Sequence, residues 1–142
     1  MINFFKKKDK GTKSEKDLVL ICALFVHAAK MDENYTENEK MIILKALSEI
    51  SDKEKSELKA ILAEAEKKES QSHQILEFTK EIKNSDIEFR KKIIKIIWKI
   101  IYSDKTEDMY EANLMRRLSS LLYVTDRECG EIKSEVMKEN IV

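Results

Sequence analysis

Four carboxylates stand in two pairs of identical internal spacing. Asp32 is followed seven residues later by Glu39, Asp104 is followed seven residues later by Glu111, and 72 positions separate the pairs. Carboxylate oxygens in such a set suit a hard divalent cation, Ca2+ or Mg2+. If the two stretches meet in space, Asp32, Glu39, Asp104 and Glu111 form one metal site. The same spacing has a second explanation. Glu39 and Glu111 each fall at the third position of an expected helix, where a glutamate reaches back to the cap backbone N–H. Their charge also complements the positive end of the helix dipole, and Asp32 and Asp104 then serve the free N–H groups of the loops. Neither stretch is an EF-hand. Counted from Asp32, position 6 is Glu37 rather than Gly and position 12 is Ile43 rather than Glu, and the second stretch has Met109 and Met115 there.

Other chemistry has little to work with. His27 lies just over one turn before Asp32, but its counterpart in the second pair is Lys99, which would repel a cation. A histidine satisfied at the edge of the core is the expected role for His27, and a surface position for His73. No Glu-x-x-His pair supports a di-metal bundle; the nearest spacing is Glu69 to His73. There is no nucleophile elbow and no Gly-rich phosphate loop. Cys22 and Cys129 are isolated, which fits reduced thiols in a cytoplasmic protein. A non-enzymatic protein without a catalytic residue is the expectation.

The elements that must position the acidic pairs are helices. The chain has no proline and two glycines, and its 42% hydrophobic and 38% charged residues fit amphipathic helices with charged outer faces. Capping-box signatures recur at Thr36/Glu39, Ser51/Glu54, Ser85/Glu88 and Thr125/Glu128, with Asp108/Glu111 as a variant. They divide the chain into helices over residues 15–31, 37–49, 52–67, 71–83, 86–103, 109–122 and 126–139. The first, second and third of these match the fifth, sixth and seventh, leaving the fourth as a connector. The helices over 15–31 and 86–103 are apolar nearly all round, the latter with only Lys91, Lys95 and Lys99 as a solvated stripe. The remaining helices have one apolar face. The expected fold is therefore all-α, a seven-helix bundle with a pseudo-two-fold helix-loop-helix duplication. Its expected four-helix core combines the first, second, fifth and sixth helices, with the others packed outside.

Residues 1–14 carry Phe4, Phe5 and a run of lysines, and are expected to be a flexible basic tail before one helical domain over residues 15–142. The longest apolar run, residues 18–29, is shorter than the roughly 20 residues a membrane span needs. The 27 basic and 27 acidic side chains cancel, which argues against a nucleic-acid binder. Contact with a membrane is expected to be weak and peripheral at most, through the tail.

The run Val26-His27-Ala28-Ala29-Lys30-Met31-Asp32, followed by Glu39, resembles the signature of the tellurite-resistance TerB family. The run from Trp98 to Asp104, followed by Glu111, Arg116 and Arg117, resembles its second signature. The family in turn is similar to the membrane-proximal domain of DjlA-type co-chaperones. The resemblance covers about residues 18–137. It implies an all-α bundle of about seven helices, a place in tellurite and stress resistance, and metal-binding roles for the acidic positions. One departure concerns the residue after each aspartate. Family members often place Gly there, which eases a left-handed turn, whereas this chain has Glu33 and Lys105.

Two functions follow as expectations: a TerB-like binding module linked to a divalent ion, or a co-chaperone-like adaptor that binds a protein partner near the membrane. The adaptor reading expects an exposed apolar patch on the fourth or seventh helix, formed by Ile75, Leu76 and Phe78 or by Ile132 and Met137.

Overall fold

Every helix start expected from a capping signature depends on which side chain reaches which backbone N–H. The computed structural model describes residues 13–31, 34–72, 74–104 and 109–141, with side chains at 104, 109, 110, 140 and 141 excepted. In it, α1 (Glu15–Ala29) begins with the Ser14 hydroxyl accepting the Asp17 N–H at 3.1 Å. Helix α2 (Glu37–Ile50) opens on a full capping box: Glu39 N–H donates to Thr36 Oγ1 at 3.1 Å, and Thr36 N–H donates to Glu39 Oε1 at 2.8 Å. Thr125 and Glu128 make the same reciprocal pair at the start of α7 (Asp126–Ile141).

Two signatures act differently. Ser51 closes α2 instead of opening α3, its hydroxyl donating to the Leu47 carbonyl at 2.8 Å. Helix α3 (Lys55–Gln71) starts three residues later, where the Glu54 N–H donates to Glu57. Ser85 likewise donates back to the Glu81 carbonyl, and Asp86 caps α5 (Ile87–Ile101) by accepting the Phe89 N–H at 2.9 Å. Serine hydroxyls compete for nearby carbonyls as readily as for N–H groups, so a Ser-x-x-Glu spacing alone does not choose between a stop and a start. Asp108 lies outside the described residues.

The connector is shorter than expected. Helix α4 (Ile75–Thr79) gives way to turns over residues 80–84, with Asn84 and Ser85 side chains donating to the Lys80 and Glu81 carbonyls. A 3-10 turn (Tyr102–Asp104) ends α5, and α6 (Met109–Leu121) follows.

The described residues contain helices and no strand, as expected of an all-α bundle. Helices α1 and α5 sit in the middle. From Leu18 to Ala29 only His27 escapes full burial, and in α5 the buried set runs Ile93, Ile94, Ile96, Ile97, Trp98, Ile100 and Ile101. Burying an isoleucine or leucine side chain contributes about 1.5–3 kcal/mol, so these two helices hold much of the core energy. Helix α1 touches α2, α3, α4 and α5, while α5 touches α1, α2, α6 and α7.

Their largest partners are α3 and α7, which were expected on the outside. Helix α3 offers Leu58, Ile61, Leu62 and Ala65 as one buried stripe, and α7 offers Cys129, Ile132 and Val136. The packing still repeats between halves: α3 lies on α1 as α7 lies on α5.

This arrangement removes the expected outer patches. Ile75, Phe78 and Ile132 are buried, and of the five named residues only Leu76 and Met137 are exposed. The lysine stripe of α5 is also half covered, with Lys91 pairing with Glu128 at 3.2 Å and Lys95 with Glu139 at 3.3 Å.

Candidate functional site

The two glutamates of the acidic pairs sit at the starts of the helices that follow α1 and α5. Glu39 lies in the first turn of α2, just after the loop that leaves α1. Glu111 lies in the first turn of α6, the helix that follows α5 and its 3-10 turn in the chain. Each is 4% exposed. Capping does not by itself require that burial. Glu57 also reaches back to a cap N–H and stands in solvent, and Glu128 does so while about 30% exposed. The two glutamates of the duplicated spacing are thus set apart from Glu57 and Glu128 by depth. Asp32 lies outside the described residues, and of Asp104 only the backbone is described. Among the described residues no three His, Cys, Asp or Glu side chains gather as a metal-ligating group.

A polar cluster flanks Glu39, built by α1, the α1–α2 loop, α2 and the end of α3. The Glu69 carboxylate, 2% exposed, accepts from His27 Nδ1 at 3.1 Å and from Lys30 Nζ at 2.9 Å. One turn earlier on α3, Glu66 accepts the Tyr35 hydroxyl at 2.6 Å, and Lys40 Nζ approaches the same carboxylate at 3.8 Å. Lys40 also stands 5.1 Å from the Tyr35 ring centroid, a cation–π contact. Burial, reinforced by the Glu66 charge and hydrogen bond, pushes the Tyr35 phenol well above its ordinary value. Burial and then Glu66 push the Cys22 thiol up as well, so Cys22 stays a protonated core residue rather than a nucleophile.

Sequence reasoning placed His27 at the core edge but missed Tyr35, Lys40, Glu66 and Glu69. A signal was present: Glu66 and Glu69 each follow a buried stripe residue, Leu62 and Ala65, by four positions. A carboxylate that continues an apolar stripe is carried inward and must find a cation or donor there.

The second half does not repeat this cluster. At the equivalent of His27 and Lys30 stand Lys99 and Tyr102, and Tyr102 stacks on Trp98 with ring centroids 5.7 Å apart. Lys133 Nζ lies 5.1 Å from the Trp98 ring centroid. The indole Nε1–H is buried without a hydrogen-bond partner among the described residues. The facing Cys129 thiol, itself raised by burial, is a weak acceptor. The duplication therefore keeps the buried glutamate and lets its surroundings diverge.

Comparison with known proteins agrees with this architecture. The family profile described as tellurite resistance protein TerB matches residues 19–134. The chain belongs to the TerB family. No curated protein and no solved structure matches it. All four acidic positions of this TerB chain fall inside the matched stretch, and the lysine-rich residues 1–14 fall outside it. Among the described residues, no helix of the TerB chain is long and apolar enough to cross a membrane.

Proposed function

We propose that this TerB chain is a non-enzymatic binding module in tellurite and stress resistance, and that its duplicated acidic loops take a divalent cation, Ca2+ or Mg2+. The observation that supports the reading is the matched burial of Glu39 and Glu111. Withdrawing a carboxylate from water is unfavourable unless charge or hydrogen bonds compensate it. Both loops lead into a helix whose first turn buries a carboxylate, while Glu57 stays in solvent and Glu128 stays partly exposed. Glu39 and Glu111 would supply two of the oxygen ligands and Asp32 and Asp104 the others, a donor set suited to a hard cation. An ion there would join the exits of the two central helices and make the shape of that end of the bundle depend on metal supply.

Titration calorimetry and thermal unfolding with Ca2+ and with Mg2+ test the reading. The expected result is a heat of binding and a rise in melting temperature that grows with metal concentration. Both should disappear in Glu39→Gln and in Glu111→Gln. Thr36→Ala serves as the comparison: it should cost about 1 kcal/mol of stability as a lost cap, while leaving the metal-induced rise intact. No heat and no thermal shift at millimolar metal would remove the cation from the proposal.

A further inference from the structure

We propose that a groove between the end of α2 and the entry to α5 docks a lysine-rich peptide segment, and that its occupant is residues 6–10 of the same chain. The groove measures about 720 Å³ and lies away from the helix exits that carry Glu39 and Glu111. One wall comes from Glu49 and Asp52, where α2 ends. The other comes from Glu81, Asp86 and Glu88, on the turn into α5 and its first residues. Five carboxylates thus face two ammonium groups, those of Lys13 and Lys92.

Three further observations point to the occupant. First, a lysine of the amino-terminal segment is already seated there. Lys13 Nζ donates to the Ser85 hydroxyl and lies 4.9 Å from the Phe89 ring centroid. The groove therefore accepts an ammonium group by hydrogen bond and by an aromatic face together. Second, among the described residues none of the five carboxylates forms an ion pair. Glu66, Glu69, Glu128 and Glu139 do, while exposed carboxylates such as Glu57 and Glu64 do not. What distinguishes the groove is that five such groups line one concavity. Third, the chain running back from Lys13 supplies the complementary charge. Lys6, Lys7, Lys8 and Lys10 stand against a single Asp9. At about 3.3–3.6 Å per extended residue, Lys10 is within about 10 Å of Lys13 and Lys6 within about 25 Å.

Each exposed pair is weak and screened by salt, so the segment binds as a set of contacts that ionic strength releases. Zero-length carbodiimide coupling of the full chain, read by mass spectrometry on an equal mixture of 14N- and 15N-labelled protein, tests this. Lysines 6, 7, 8 and 10 are expected to couple to Glu49, Asp52 and Glu81 within one chain. That yield should exceed coupling to the exposed Glu57 and Glu64 at least fivefold. It should fall about tenfold in 0.5 M NaCl. The triple variant Glu49→Gln, Asp52→Asn, Glu81→Gln should also lose it about tenfold while keeping the wild-type circular dichroism and melting temperature. These three side chains carry no hydrogen bond of the fold among the described residues. Coupling spread evenly over exposed carboxylates, or found only between chains of different label, would overturn the assignment.

Discussion

His27 on α1 and Glu69 on α3 are joined at 3.1 Å through Nδ1 and Oε2, with the carboxylate almost wholly withdrawn from solvent. Lys30 completes the arrangement at 2.9 Å, so the last turn of α3 is pinned to the last turn of α1. That is the helix end from which the first acidic loop departs. The pin sets where the loop begins, and through it where Glu39 enters α2.

Glu69→Ala should therefore lower stability by about 2–3 kcal/mol. Removing one partner of a buried pair generally costs about 3–5 kcal/mol, and the half-exposed Lys30 lowers the figure because water can take over its solvation. Glu69→Gln keeps two acceptor lone pairs and should cost less than half as much. Urea denaturation of the two variants against wild type measures both. Equal losses would show that charge, not hydrogen bonding, holds the pin.

Glu128 gives a prediction in pH. Its carboxyl is held below the ordinary range first by the Thr125 backbone N–H and then by Lys91, which accordingly titrates above its usual value. A carboxyl depressed on folding contributes stability that is present above its unfolded pKa, about 4.3. That contribution is lost as pH falls through the folded value. The difference in urea midpoint between wild type and Glu128→Gln should thus be constant from about pH 6 to pH 8 and shrink steadily as pH falls below about 4.3, where the unfolded carboxyl takes up its proton first. A difference that persists in acid would contradict the assigned cause.

Tyr123 ends α6 with φ of 56°, in the left-handed region. The Val124 and Tyr123 N–H groups donate to the Ser119 and Ser120 carbonyls, the pattern in which glycine usually fills this position. Arg90 clasps the same turn, donating to the Leu122 and Tyr123 carbonyls at 2.9 and 3.2 Å. The tyrosine ring is largely exposed and gains little from packing. Tyr123→Gly should raise stability by about 0.5–1 kcal/mol, measured by thermal or urea unfolding, because relief of left-handed strain exceeds the added freedom of the unfolded chain. A loss of stability would show that the ring contributes more than its exposure suggests.

The sequence by itself determined the helical class, the duplication and the place of α1 and α5 at the centre. All-round apolar helices cannot be satisfied at a surface, and their run lengths suffice to show it. The capping boxes at Thr36 and Thr125 were equally legible, since the partners are three residues apart and need no tertiary context. Ser51 and Ser85 were not, because a serine between two helices chooses its partner by how the chain turns there.

Depth and partnership were decided only by the tertiary structure. Nothing local distinguishes the buried Glu39 from the exposed Glu57, both of which reach back to a cap N–H. Nor does spacing announce that Glu69 meets His27 across 42 positions, or that Lys13 meets Ser85 across 72. Local patterns reflect backbone hydrogen bonding, which acts over three or four residues. Burial and ion pairing depend on which helix faces are brought together, and α3 and α7 become the main partners of α1 and α5 through the whole pattern of packing around those two helices.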